Sequence, residues 1–284
     1  MDVAEVDEQL AGLDALESEV AGESRARRLW AQMWPKVAAI GLALLVWQGI
    51  VWASWKPDYV LPGPATVLPR FFSDLGTSIT WRAIGTTMRR AFVGFGVAIV
   101  IGSLVGIAVA QFRVVRSAVG SLITGLQTMP SIAWFPLAVL LFKKSEAAIF
   151  FVVVLGAAPS VANGLISGID HVPPILVRAG RVLGAKGIHA YRHVIVPAAL
   201  PSFVAGLKQG WAFVWRSLMA GELIVIIANR PSIGVQLSYN QEFNDAPGLF
   251  SYMLIILLIG IVVDAVVFAG LERNIRRRRG LTTN

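Results

Sequence analysis

Residues 170–197 read DHVPPILVRAGRVLGAKGIHAYRHVIVP and form one long connection between two apolar stretches. The pair Pro173 and Pro174 suits the first turn of a helix, where a missing backbone N–H costs nothing. Gly184 and Gly187 then break this helix, since glycine adopts the backbone angles that a sharp reversal needs. A second short helix follows the glycines. The stretch therefore predicts a compact helix-turn-helix.

The surface of this predicted helix-turn-helix has two open interpretations. Ile175, Leu176, Ala179 and Val182 recur at three- and four-residue spacing, and the arginines fall on other faces. Such a surface could dock on a partner protein held beneath a membrane. It would equally suit an amphipathic connector lying on lipid headgroups.

Composition on either side of this stretch favours a membrane protein. Of the 284 residues, 56% are hydrophobic and 15% are charged, and the mean hydropathy is +0.67. Soluble domains are about 45–50% apolar and about 25% charged. The pI of 10.3 could suit nucleic acid, but a basic chain this apolar more often borders lipid. The sequence has no cysteine, which excludes disulfides, thiolate zinc sites and cysteine nucleophiles.

The apolar stretches predict an all-α, polytopic membrane protein with six transmembrane helices. A helix needs about 20 mostly apolar residues to cross a bilayer. The candidate spans are Val37–Ser54, Ala91–Ala110, Ser117–Phe142, Ala147–Ile169, Ala199–Ile227 and Leu249–Leu271. The third is interrupted at Met129-Pro130, and the fifth contains Lys208, Arg216 and Glu222.

The charges predict how these spans are oriented. Residues 1–28 begin with an acidic segment and residues 273–284 are basic, so we expect two cytoplasmic tails around a permease domain at 29–272. With both termini inside, most Lys and Arg fall in cytoplasmic connections, including 170–197, as the positive-inside rule requires. Arg89 and Arg90 fit this scheme less well, because they precede the second span on the predicted outer face.

A family resemblance rests on the spacing within 170–197. Arg178-Ala179-Gly180, three residues, Gly184, nine residues and Val194-Ile-Val-Pro197 resemble the EAA loop of binding-protein-dependent ABC importer permeases. That pattern is Glu-Ala-Ala, three residues, Gly, nine residues and Ile-x-Leu-Pro. Two positions depart from it, since Arg178 replaces the glutamate and Gly180 replaces the second alanine.

Further segments are similar to the nitrate/sulfonate/taurine branch of that family, and most like its aliphatic sulfonate permeases. They are Tyr59–Pro64, Arg90–Phe95, Met129–Pro136, Pro197–Lys208 and Ser232–Gly234. The resemblance extends over about residues 37–279. It implies the MetI-like fold of type I ABC importers, in which the EAA loop is a coupling helix.

The resemblance also implies partners and a location. The expected partners are two cytoplasmic ABC ATPases that carry ATP and Mg²⁺, a second permease copy forming a homodimer, and an extracytoplasmic solute-binding protein. The chain itself would bind no cofactor and catalyse no reaction, and it would lie in the bacterial inner membrane. The expected solute is a small anion such as an aliphatic sulfonate, taurine or nitrate.

Candidates for the translocation path are residues whose polarity or helix-breaking character is unusual inside a membrane. They are Met129, Pro130, Trp215, Arg216, Met219 and Glu222. Burying an ion near the bilayer centre costs about 2.5 kcal/mol or much more, so such groups face a cavity or a partner. Arg216 could attract an anionic solute. The alternative is a structural ion network, and Asp264 is expected to link helices.

Other function classes lack the residues that they need. The sequence contains no Gly-x-x-x-x-Gly-Lys-Ser/Thr motif for ATP. His189 and His193 have metal-ligand spacing but no carboxylate in their segment. A secondary transporter not driven by ATP remains the alternative, although no inverted repeat is evident.

Overall fold

The computed structural model describes residues Arg25–Arg278, and every regular element in that range is helical. Most of the acidic segment 1–28, and residues 279–284 of the basic tail, lie outside the described residues. The chain divides into two compact units, one reaching Thr66 and the other beginning at Val67.

The first unit contains α1, Arg25–Trp52, and the start of α2, Pro64–Leu75. Within this unit the indole Nε1 of Trp47 donates to the carbonyl oxygen of Pro62 at 3.1 Å. This hydrogen bond holds the proline-rich segment after α1 against that helix.

The second unit holds the rest of α2 and the remaining described helices of eight residues or more. They are α3 (Ser78–Gln111), α4 (Arg113–Thr128), α5 (Phe135–Phe142), α6 (Glu146–Asp170), α7 (Pro174–Val182), α8 (Val196–Ile224), α9 (Ile233–Glu242), α10 (Ala246–Val263) and α11 (Ala269–Arg278). Polar side chains cap several N-termini by accepting a backbone N–H. Thr77 caps α3 in this way, Ser232 caps α9, and Asp245 caps α10.

Helix α6 is the centre of the second unit, and glycines allow its neighbours to approach closely. A Cβ placed on Gly102 of α3 would lie 2.5 Å from the carbonyl oxygen of Ala158. One placed on Gly164 of α6 would lie 2.6 Å from the Cα of Gly206 in α8. Small residues at such crossings let backbones pack in lipid, where apolar burial gives little driving force between helices.

The contacts along these crossings fix the directions of the three helices. Positions on α3 and α6 pair in the same order along the chain, from Gly94 with Val153 to Gly106 with Ala162, so these helices run parallel. Helix α8 is antiparallel, because Gly168 of α6 meets Ala199 at the start of α8. One end of the bundle therefore carries residues 170–197. The other end, which we call the distal end, carries the first turns of α6 and the last turns of α8.

Four described helices are long and apolar enough to cross a membrane. They are Met33–Trp52, Ser78–Gln111, Glu146–Asp170 and the continuous helix Ala246–Ile275. The segments Arg113–Thr128 and Ser131–Phe142 give a fifth if they count as one span, although they are bent by 104° at Met129 and Pro130. The described chain thus gives four or five spans by length and composition, compared with the six expected. Helix α8, with its internal charges, is outside this set.

The boundary of the second span is also corrected. The sequence places residues 86–90 in an outer connection, whereas α3 runs without a break from Ser78 to Gln111. Arg90 therefore lies inside a 34-residue helix with only 2% of its surface exposed. Two charged residues interrupt the apolar stretch, but they do not interrupt the helix.

Candidate functional site

Residues 170–197 form the helix-turn-helix that the sequence predicts. Helix α7 is followed by a reversal in which Gly184 has a φ of +87° and Gly187 a φ of +51°. Side chains other than glycine rarely adopt these angles. A helical turn at Ile188–Ala190 and a π-helical segment at Tyr191–Ile195 then lead directly into α8.

Gly180 holds the two arms of this loop together. Its carbonyl oxygen accepts the backbone N–H of Ala185 at 2.8 Å. A Cβ on Gly180 would lie 2.7 Å from Cγ2 of Val194, so a larger residue would push the arms apart. The glycine that departs from the EAA pattern is therefore accommodated by direct packing against Val194, another residue of the predicted coupling loop.

The tip of the loop is apolar and exposed. Val182 is 88% exposed, Leu183 87% and Ile188 80%. Arg178 is also exposed, and it forms no ion pair with any residue in the described part of the chain. Exposed apolar tips rimmed by basic residues are typical of a surface that a partner covers.

At the end of the bundle that carries the loop, an ion pair joins α4 to α6. The guanidinium of Arg116 donates to both carboxylate oxygens of Asp170, at 2.8 and 3.0 Å. Both side chains are about 40% exposed, so the pair is a surface salt bridge of modest strength. It joins the beginning of α4 to the point where α6 enters the loop.

A buried ion network lies at the distal end of the bundle. NH1 of Arg90 donates to Oε1 of Glu222 at 2.9 Å. Nε and NH2 of the same guanidinium donate to the two carboxylate oxygens of Glu146, at 2.8 and 2.7 Å. Arg90 of α3 thereby joins the first turn of α6 to the last turn of α8.

The second oxygen of Glu222 is bonded as well. The hydroxyl of Thr87 donates to this carboxylate at 2.9 Å, and the backbone N–H of Gly234 donates at 3.1 Å. Thr87 also accepts the N–H of Ile233, which anchors the start of α9. Glu222 has no exposed surface, so its charge is compensated entirely by these groups.

These contacts place Glu222 as an anchor between helices. It is one of the residues predicted for the translocation path, but its side chain reaches no surface of this chain. Sequence reasoning missed its partner, Arg90, which was assigned to an outer connection. The available signal was complementary charge, because an isolated acid in one span requires a cation in another.

The other path candidates are more accessible. Arg216 is exposed; its Nε donates to the carbonyl oxygen of Ala212 at 3.1 Å, and its guanidinium lies 4.7 Å from the ring centre of Phe213. It does not pair with Glu222. Met129 and Pro130 are exposed at the bend between α4 and α5.

Trp215 and Met219 are half-buried on α8. The indole of Trp215 stacks against that of Trp211, with ring centres 6.4 Å apart. Met219 packs against two hydrophobic clusters, those around α6 and around α10. On the loop-proximal part of α8, Lys208 pairs with Asp264 at 3.1 Å, so Asp264 links two helices as expected.

The fold and the loop define the membrane-spanning subunit of an ABC importer. Residues 98–277 match the model of the family described as binding-protein-dependent transport system inner membrane component, and the chain belongs to this family. It is therefore a multi-pass inner-membrane protein and a non-catalytic subunit. Permeases of this kind work with ATPase subunits and substrate-binding proteins.

Relatives support this assignment rather than a secondary transporter. An ABC transporter permease protein of Methanocaldococcus jannaschii is 29% identical over 233 residues, which cover 81% of this chain and 86% of its own. The taurine transport system permease of Escherichia coli is 26% identical, with coverages of 84% and 85%. The nitrate import permease of a Synechocystis strain is 26% identical, with coverages of 82% and 87%.

Solved structures confirm the MetI-like fold. A chain of the inward-facing MetNI methionine ABC transporter superposes with a TM-score of 0.58 at 18% identity. The superposition covers 69% of this chain and 96% of that one. At this identity the similarity establishes the architecture alone.

The buried network makes a prediction about stability. Arg90→Met leaves two carboxylates without their shared cation, and breaking a buried pair costs about 3–5 kcal/mol. We expect a large fall in the unfolding midpoint of the purified chain in detergent. Glu222→Gln should cost less, because the amide oxygen can still accept from Gly234 while Arg90 keeps Glu146.

Arg116→Gln is the matched control, since it removes an arginine from an exposed pair worth about 0–1 kcal/mol. Equal decreases in the unfolding midpoint for Arg90→Met and Arg116→Gln would contradict the proposed stabilising role of the buried network.

Proposed function

We propose that this chain forms the translocation path of an importer for small oxyanions and is driven through residues 170–197. The observation that supports coupling is the exposed apolar tip of the loop, held in a fixed shape by Gly180, Gly184 and Gly187. The ATPase subunits would bind this tip from the cytoplasm, and ATP and Mg²⁺ would be held by those subunits.

Orientation follows from the same surface. ATP is cytoplasmic, so a loop that meets the ATPases places that end of the bundle inside and the distal end outside. Helix α6 has 25 residues, about 38 Å at 1.5 Å per residue, which suffices to cross a bilayer. We propose that both termini are cytoplasmic, because the basic residues at 25–36 and 273–284 favour that side of the membrane.

A second permease copy completes the proposed assembly. Large apolar side chains on α10 and on the continuation to Leu271 are exposed in the single chain. Lipid or another copy would cover them, and a homodimer would place two loops against two ATPases. Movement of the ATPases would move the loops, and the loops would open the central cavity alternately to the two sides of the membrane.

The oxyanion assignment is supported by Arg216. This cation is exposed on α8, and within the described residues no carboxylate lies at ion-pair distance from it. The substrates named for relatives include taurine and nitrate, both of which present an oxyanion group. Riboflavin is named for another relative, so the exposed Arg216, and not the substrate of a relative, supports an oxyanion for this chain.

Coupling through the loop predicts the effect of a charge at its tip. Leu183→Asp adds a carboxylate to an exposed apolar contact, so co-purification of the ATPase should fall sharply while the permease remains folded. The readout is the ATPase-to-permease ratio after affinity purification.

Phe243→Asp provides the control at the distal end, where Phe243 is also highly exposed. It should leave the ratio unchanged. An undiminished ratio for Leu183→Asp, or the same decrease for both variants, would contradict docking at the loop tip.

If Arg216 lies in the translocation path, its removal should impair transport without impairing folding. A charge-assisted contact is worth about 1.5–3 kcal/mol, so Arg216→Ala should lower uptake of a sulfonate about 10- to 100-fold. Arg216→Lys should retain part of it. The assay is binding-protein-dependent uptake into proteoliposomes.

Arg273→Ala serves as the comparison, because Arg273 makes the same local bond, from Nε to the carbonyl oxygen four residues earlier. It should transport normally. Normal sulfonate uptake by Arg216→Ala would remove Arg216 from the path.

A further inference from the structure

A cationic cleft lies on the outward side of α3 near the distal end of the bundle. Its volume is about 470 Å³, within the range of small-molecule sites. It is lined by Arg82, Gly85, Thr86, Arg89, Asn229, Arg230 and Pro231. We name this set of residues the arginine cleft.

Helical spacing explains one wall of the arginine cleft. Arg82 and Arg89 are seven residues apart, which places them on the same face of α3 about 10.5 Å apart along its axis. Gly85 lies between them, and a Cβ added there would meet nothing within 4 Å. The helix thus presents two guanidiniums on either side of an open floor, while Thr87 and Arg90 face inward to the buried network.

The opposite wall comes from the segment between α8 and α9. Arg230 lies there, and its NH1 is 3.6 Å from Oε1 of Glu146. Glu146 is already bonded to Arg90 at 2.7 and 2.8 Å, so the longer contact is the weaker of the two. Arg230 is therefore held near the cleft by a carboxylate that has a better partner.

The arginine cleft carries more positive than negative charge, because Glu146, which contacts Arg230 and attracts Arg89, is shared with Arg90. Arg82 and Arg89 are exposed, and neither guanidinium forms an ion pair or a hydrogen bond with any described residue. Three cations around one concave volume raise the local concentration of anions. Guanidinium groups bind planar or tetrahedral oxyanions through paired N–H donors.

We propose that the arginine cleft binds a small soluble oxyanion, such as a sulfonate head group, before it enters the translocation path. The inference rests on the proposed import of oxyanions and adds a binding site on the permease itself. Three of the seven lining residues are arginines, so the cleft binds the charged head group through guanidinium donors. Arg230 exchanges its weak contact with Glu146 for the bound anion.

The absence of cysteine allows a direct test, because a single introduced thiol is the only one in the chain. Gly85→Cys places a thiol on the floor of the cleft, where the structure has space for it. The protein is the permease–ATPase complex in nanodiscs of phosphatidylcholine. The probes are the anionic 2-sulfonatoethyl and the cationic trimethylammonioethyl methanethiosulfonates.

Gln241→Cys is the control, since Gln241 is exposed on α9 outside the cleft. The ratio of anionic to cationic labelling rates should be about tenfold higher at position 85 than at position 241. Millimolar methanesulfonate should slow labelling of position 85 by the uncharged N-ethylmaleimide. Adding Arg82→Gln and Arg89→Gln should abolish both effects.

Equal labelling ratios at the two positions, or no protection by methanesulfonate, would overturn the proposal. So would protection only by phosphatidylglycerol in the nanodisc, which would make the occupant a lipid headgroup. Sulfonate uptake by the unmodified complex is measured separately. Uptake without protection refutes the cleft alone, whereas protection without uptake refutes the proposed substrate class and leaves an oxyanion site.

Discussion

The buried contact between Arg90 and Glu222 constrains the arrangement of the other helices. Two charges removed from water are stable in an apolar bundle only when each is fully compensated. Arg90 is compensated because it forms ion pairs with both Glu222 and Glu146. Glu222 also accepts hydrogen bonds from the hydroxyl of Thr87 and from the backbone N–H of Gly234. Four helices, α3, α6, α8 and α9, must meet at one point for that to happen. A shift of one residue in α3, α6 or α8 would leave a charge uncompensated, and a shift in α9 would remove the N–H that Gly234 donates to Glu222.

This constraint links the distal end to the loop at the other end of the bundle. Helices α6 and α8 carry the network at one end and continue into residues 170–197 at the other. Between the ends they cross so closely at Gly164 and Gly206 that a methyl group would not fit. We propose that the pair moves as one rigid body, so that a displacement of the loop would be transmitted along its full length. The arginine cleft lies beside the end that would respond.

Sequence reasoning succeeded where the signal is local. The reversal at Gly184 and Gly187 depends on backbone angles that glycine supplies, and the bend at Pro130 depends on a missing N–H, so both were predictable from a few residues. The family resemblance rested on the same local spacing. The close packing of Gly180 against Val194 was not predictable, because it depends on how the two arms of the loop fold against each other.

Sequence reasoning failed where compensation is long-range. Hydropathy treats a charge as the end of a span, so Arg90 was placed outside the second helix. Its partner Glu222 is 132 residues away along the chain, and nothing near either residue indicates the pairing. Arg216 shows the converse, since it lies in the same helix as Glu222 and yet has no contact with it. Length and composition alone identify four or five of the six expected spans among the described residues.

The central claim is that α6 and α8 act as a rigid connection between the loop and the distal end. The most direct measurement is the spin-label distance within one chain between Lys186→Cys in the loop and Lys144→Cys, an exposed residue two positions before the first turn of α6 at the distal end. It is made in the permease–ATPase complex with and without bound ATP. The account predicts that the label-to-label distance with and without ATP agrees to within about 2 Å. This is much less than the shift of about 5.4 Å that occurs when one packed element slips by one helical turn past another. A change of about 5 Å or more would contradict it.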